Sequence, residues 1–244
     1  GLRYLVNGEV RLVRESLRER RVLENIAPNY VYPWPIMMMH YQKPMKNNKR
    51  VVKVGMLLYD ALSYDKKRTW DPCKRIPAHR TIRRGEVLRQ EPHVHAKGLT
   101  GASVFCDCVS IFPERLTLAF IKSAVAHGAK AANYAQVEGF LMDAENRVAG
   151  VKVKDLQNGK VHDIAGTVTV NCGGPWADLL LDLAKSNGKE TPTLRRSEGI
   201  HIITAKRLLS GQYIVGSMTP AGRHFFLIPW RNHTLIGTTD KPFN

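Results

Sequence analysis

Short apolar runs, each broken by a charge or closed by a glycine or proline turn, restrict this chain to short strands and a few amphipathic helices. Val148 to Asp155 alternates through Val151 and Val153. Asn158-Gly159, the strongest short-range hairpin signal, then leads into Val161 to Ile164, and the spacing predicts a β-meander. Thr167-Val-Thr-Val170 predicts a buried strand, followed by a glycine turn and a helix beginning near Trp176 with Leu179, Leu180 and Leu183 inward. Strand, turn and helix in that order are typical of nucleotide-binding α/β layers. The last third predicts short strands at Ile200 to Thr204, Tyr213 to Val215, Phe225 to Ile228 and Thr234 to Gly237, arranged in an antiparallel sheet.

Two helices are legible. Val10, Val13, Leu17 and Ile26 recur among Arg and Glu over residues 9 to 27, and Pro28 ends the run. Leu116, Ala119, Phe120, Ala124 and Val125 lie near one face over residues 114 to 128, with Gly128 as the stop. Between them, Pro33, Pro35 and Pro44 surround Met37-Met38-Met39, and helix is excluded up to Trp34. The basic stretch Lys46 to Arg50 reads as an exposed loop. A 43% hydrophobic content is enough for a sizeable core, and no run approaches the ~18 apolar residues of a membrane span. Any membrane contact is expected to be peripheral.

The formal net charge is +16, and residues 1 to 90 carry 20 Lys and Arg against 8 Asp and Glu, so 12 of that excess lies in the front third. Such a field attracts nucleic acid, anionic lipid or a phosphorylated small substrate, and charge alone does not choose among them. Neither interleaved aromatics nor a nucleic-acid motif accompanies it, so no nucleic acid is expected. Four cysteines, Cys73, Cys106, Cys108 and Cys172, are too few for a disulfide framework and suit a reducing compartment, cytoplasmic or matrix-facing. His93-Val-His95 and Cys106-Asp-Cys108 offer two His and two Cys, but their spacing is unlike zinc modules and no metal is expected.

Asn171-Cys-Gly-Gly-Pro-Trp-Ala-Asp178 is the segment whose glycines let backbone approach a cofactor. It stands with Gly1-Leu-Arg-Tyr-Leu5, Arg195-Arg-Ser-Glu-Gly-Ile-His-Ile-Ile-Thr204, Phe226-Leu-Ile-Pro-Trp230 and Ile236-Gly-Thr-Thr-Asp240. Arg11 to Arg20, Ala27-Pro28, Tyr59 to Leu62, Phe105 to Asp107 and Arg115-Leu116 fall between them. In that order, over nearly its whole length, the chain resembles the FAD-dependent glycerol-3-phosphate dehydrogenases and oxidases, a branch of the D-amino-acid-oxidase-like flavoproteins.

The resemblance implies an α/β (α+β) fold. Residues 1–28 and 101–187 are expected to be part of an FAD-binding domain, 29–100 and 188–235 a discontinuous antiparallel-sheet substrate cap, and 236–244 a return to the first. It implies oxidation of glycerol 3-phosphate to dihydroxyacetone phosphate by hydride transfer to FAD, with quinone or oxygen as final acceptor. Arg3, with Tyr4 beside it, is expected to face the substrate, and a guanidinium fork suits its dianionic phosphate. His201 is expected to accept the hydroxyl proton. Thr239 is expected beside substrate and cofactor, and Val137, Asn171, Gly173, Gly174, Trp176 and Asp240 at the FAD.

The departures also carry expectations. The family's glycine-rich fingerprint belongs ahead of Gly1 and a further phosphate-binding arginine beyond Asn244, so the chain reads as an internal piece that binds FAD poorly by itself. Phe112-Pro113-Glu114 precedes Arg115-Leu116 with one extra residue, and Glu198 stands where a basic residue is common. The alternatives are a related FAD-dependent oxidase of an amine or hydroxy acid, and a basic module binding lipid or nucleic acid. The reading leaves room for a homodimer and for contact with an anionic membrane.

Overall fold

In the computed structural model, three consecutive methionines lie within a ladder of eleven paired residues. The structure describes residues 4–5, 7–42, 49–184, 194–219, 224–237 and 239–243. Helix α1 (Val10–Ile26) is followed by β1 (Val31–Tyr41), α2 (Lys49–Leu62), β2 (Arg80–Arg83), α3 (Arg84–Gln90), β3 (Leu99–Ser110) and α4 (Pro113–Ala126). Next come β4 (Ala135–Met142), β5 (Val148–Asp155), β6 (Val161–Ala165), α5 (Ala177–Leu183) and β7 (Arg196–Glu198). The chain closes with β8 (Ile202–Thr204), β9 (Ile214–Met218), β10 (His224–Trp230), β11 (His233–Gly237) and β12 (Lys241–Phe243).

The backbone divides into two compact units, residues 1–120 with 199–239, and residues 121–198 with 240–244. The first is built on a sheet of order β2-β3-β1-β9-β10-β11-β8, in which only the β1–β9 pair is parallel. β3 runs unbroken across residue 100, and α1 and β1 lie in the same unit. The predicted α1, the predicted antiparallel strands of the last third and the β4-β5-β6 meander of the second unit are all present. Gly159 adopts φ +75° in the predicted hairpin turn, a conformation glycine reaches without steric cost.

β1 was not anticipated. It pairs with β3 from Val31–Ser110 to Tyr41–Leu99, and with β9 only over Ile36 to Met38. Before Ile36 no described strand pairs with the second edge of β1, so Pro33 and Pro35 are tolerated there. Side chains alternate across a strand, and both faces of β1 are covered. Met37 and Met39 join Ile82, Val87, Ala102 and Val215 in one core cluster, whereas Met38 joins Val13, Leu17, Met56, Tyr59 and Phe105 in the other. Adaptable, unbranched methionine suits a position squeezed between two layers.

Helix α2 was also unanticipated. Lys49 and Arg50, expected in a loop, form its first turn, while Lys46 to Asn48 lie outside the described residues. Met56 and Tyr59 are buried and Val51, Val54, Leu57 and Leu58 exposed, so its apolar surface extends well beyond the face it packs. Beneath α1, Arg20 donates to Asp107 Oδ1 at 3.0 Å and the Tyr59 hydroxyl to Asp107 Oδ2 at 3.1 Å. The Tyr59 and Phe105 rings meet edge to face. Thus Tyr59 and Phe105-Cys-Asp107, 46 residues apart at nearest, form one structural lock.

In the second unit two expectations fail. Thr167 to Val170 is not a strand, and Val168 and Val170 are exposed, because no described strand pairs with them and an isolated strand has no ladder to join. Leu179 and Leu183 of α5 are exposed as well, leaving Leu180 half-buried.

His40 is fully buried on β1, its Nε2 sharing a 3.0 Å hydrogen bond with Ser103 Oγ. Burial, reinforced by the Lys49 charge, lowers its pKa from 6.5 to about 4. The unfolded chain therefore takes up this proton near pH 6.5 and the folded chain only near pH 4, so the associated stability is present above the first value and lost as pH falls toward the second. Urea unfolding should show the native chain losing about 2 kcal/mol more than H40N between pH 7 and pH 5, and equal losses would refute a neutral buried imidazole.

Candidate functional site

The anticipated site residues fall into two groups, one in each compact unit. In the second unit the segment before α5 is folded by its own side chain: Asn171 Oδ1 accepts from the Gly173 amide at 2.9 Å, and its Nδ2 donates to the Ala177 carbonyl at 2.9 Å. Gly174 takes φ +55°. A Cβ at Gly173 would stand 2.6 Å from Leu180 Cδ1, whereas one at Gly174 would meet nothing within 4 Å. The first glycine lets the turn lie close to α5, and the second leaves bare backbone facing open space. Trp176 is exposed, closing a 3₁₀ turn from Gly174.

A clasp that the sequence reading did not anticipate holds this turn. Asp178, buried at the start of α5, accepts from the backbone amides of Leu194 at 3.0 Å and Leu179 at 2.9 Å and is paired with Arg196 of β7. Arg196 also donates to the Pro175 carbonyl at 2.7 Å. Those amides, chiefly that of Leu194, hold the Asp178 carboxyl below the usual range, with the Arg196 charge adding to them. The α5 helix packs against β4, which carries half-buried Val137 beside a bulge between Val137 and Gly139. Asp240 is exposed just before β12, and β12 sets Lys241 directly across from Glu198, an opposite charge at the position of the unexpected acid.

In the first unit, His201 stands just before β8 with its side chain exposed. Its ring lies against Gly237 of β11, so closely that a Cβ at 237 would come within 2.7 Å of Nε2. Thr239 fixes the preceding residue from both sides: its Oγ1 accepts from the Ile200 amide at 2.9 Å, and its own amide donates to the Ile200 carbonyl at 3.3 Å. Thr239 therefore holds the backbone that aims His201. Tyr4 is partly exposed in a short helical turn, its carbonyl accepting from the Glu9 amide at 2.9 Å. Arg3 lies outside the described residues. Among the described residues no cluster of three or more His, Cys, Asp or Glu side chains is arranged to hold a metal ion, and no helix is long and apolar enough to cross a membrane.

The sequence matches the FAD dependent oxidoreductase family over residues 1–244. The chain belongs to that family. It is 33% identical, over its whole length, to a glycerol-3-phosphate dehydrogenase of Mycobacterium leprae, and 30% identical to an alpha-glycerophosphate oxidase of Streptococcus pneumoniae. It spans 39% of the length of each. Among solved structures, the glycerol-3-phosphate dehydrogenase of Bacillus halodurans complexed with FAD is similar over 95% of this chain and 39% of that one, with TM-score 0.71 and 27% identity.

For a family that uses FAD, the Asn171–Trp176 turn fits what a pyrophosphate needs, since Gly174 keeps the backbone accessible and Asn171 fixes its shape. Gly237 and the Asp178–Arg196 clasp escaped sequence reasoning. The one available signal was Gly237 itself, a small residue where an alternating strand would carry a side chain.

G237A should push the imidazole aside and cost about 1–3 kcal/mol in denaturant unfolding, the usual range for overpacking. In an H201A background the same change should cost less than half as much, because the ring it strikes is gone. Equal costs in both backgrounds would show that Gly237 does not seat His201.

Proposed function

We propose that the protein to which this chain belongs oxidises the secondary alcohol of sn-glycerol 3-phosphate to dihydroxyacetone phosphate, with FAD as hydride acceptor and quinone or oxygen as the final oxidant. The observation carrying this reading is the match along the entire chain to relatives named for glycerol 3-phosphate oxidation. Within the chain, an exposed imidazole seated on a glycine and aimed by a threonine supports the role of proton acceptor for His201.

FAD, when bound, supplies the two-electron sink that side chains lack. The turn at Asn171, Gly173, Gly174 and Trp176, with the Val137 backbone and Asp240, is the part of this chain assigned to hold it. His201 would take the hydroxyl proton as a hydride, with the C–H bonding electrons, leaves the carbon that bears the hydroxyl, and Arg3 with Tyr4 would anchor the substrate. A fixed guanidinium fork binds the dianionic phosphate and orients that carbon, converting binding into positioning. In this reading the first compact unit carries the substrate side. Four free cysteines support a reducing compartment, cytoplasmic or matrix-facing.

Steady-state assays on the protein extended to the length of its relatives separate the roles. H201A should lower kcat by about 10²–10⁴ with KM little changed. R3A should raise KM for glycerol 3-phosphate by about tenfold or more and leave the weak rate on glycerol, which has no phosphate, unaltered. Preference for an amine or a hydroxy acid over glycerol 3-phosphate would defeat the proposal.

A further inference from the structure

The positive charge of the front third has a structural address away from the residues assigned to substrate. Arg14, Arg18 and Arg21 occupy one face of α1 at spacings of four and three, and the turn after α2 sets Tyr64, Asp65 and Arg68 opposite them. With Glu15 these residues line an open cleft of about 450 Å³, entirely within the first compact unit. None of Arg3, Tyr4, His201 and Thr239 is among them.

Half of the cleft's cationic groups are fixed in advance. Arg14 grips Asp65 with both terminal nitrogens, at 2.9 and 2.7 Å, and its guanidinium lies 4.4 Å from the centre of the Tyr64 ring. Arg21 reaches the same carboxylate at 3.2 Å. Burial alone would raise the Asp65 carboxyl, but the bonds and charges of Arg14, with the charge of Arg21, hold it below the usual range, so Asp65 stays ionised and is spent on two cations. Arg18 and Arg68 have no ion pair and no side-chain hydrogen bond among the described residues. The lining thus carries four positive and two negative side chains, with arginines of like charge adjacent on one helix face, an arrangement that destabilises a helix unless an anion comes between them.

We infer that this cleft is a binding site for a phosphoryl-bearing anion of two or more negative charges, gripped by Arg18 and Arg68 beside the preset Arg14 and Arg21. The guanidinium fork matches phosphate oxygens two at a time, and prior fixing of half the site lowers the ordering cost of binding. A free phosphorylated metabolite and an anionic lipid headgroup present the same group.

Calorimetric titration of the chain with inorganic pyrophosphate at low ionic strength tests this. R18A/R68A should bind at least about tenfold more weakly, whereas R83A/R84A, which removes equal charge outside the cleft, should stay within about twofold. Because Arg18 and Arg68 hold nothing in the fold and Arg18 repels its neighbours on α1, circular dichroism should be unchanged and the thermal midpoint should not fall in the first variant. Equal weakening in both variants would reduce the effect to the general positive field and overturn the inference, as would the absence of binding by the native chain. Sedimentation with vesicles of phosphatidic acid, whose phosphomonoester can carry two charges, in phosphatidylcholine then separates the sources. Loss of vesicle binding in R18A/R68A alone identifies a headgroup, and vesicle binding that is absent or indifferent to that variant, alongside lost pyrophosphate binding, identifies a free phosphoryl compound.

Discussion

The antiparallel ladder between β1 and β3 is the constraint on which the first unit depends. It runs from Val31–Ser110 to Tyr41–Leu99, and the strands of the last third attach to it through the short parallel pairing of β1 with β9. From there the sheet passes through β10 and β11 to β8, and so to His201. Met37, Met38 and Met39 bury alternately to the two faces, so a single strand anchors both core clusters. A register slip of one residue would exchange the clusters and move the histidine with them. The geometry proposed for His201 therefore depends on a ladder formed by residues 31–41 and 99–110, remote from it in sequence.

Local contacts then refine what the ladder places. Thr239 and Gly237 act on His201 through the backbone, one by holding Ile200 and the other by having no side chain. Asp178 and Arg196 do the same for the Asn171–Trp176 turn. In both cases a residue proposed to touch the reacting partners is kept in place by its neighbours, which is how a rigid site is built from short, individually weak elements.

What the sequence disclosed follows from where periodicity is local. The strands of β8 to β11 and the hairpin at Asn158-Gly159 alternate or turn by short-range rules and were legible. β1 was hidden because prolines at 33 and 35 normally argue against a strand, and the open edge that admits them is a property of the assembled sheet. α2 was hidden because Val51 to Leu58 reads as a nearly continuous apolar run, which periodicity alone does not assign to helix or strand. The strand expected at Thr167 to Val170 shows the converse: strong local preference does not make a strand where no partner is described. For the site, His201, Asn171, Gly173 and Gly174 were named through family likeness. Gly237 and Arg196 stood in the matching motifs, but their supporting roles were not legible, because their partners lie 36 and 18 residues away in sequence.

The central claim is that these residues belong to a flavoenzyme acting on glycerol 3-phosphate. The most direct measurement is an anaerobic titration of the FAD-loaded protein, extended to the length of its relatives, with glycerol 3-phosphate while the visible absorbance of the flavin is followed. Stoichiometric bleaching by this substrate, and none by glycerol at equal concentration, is the result the account predicts. Flavin that binds and stays oxidised with glycerol 3-phosphate would contradict it.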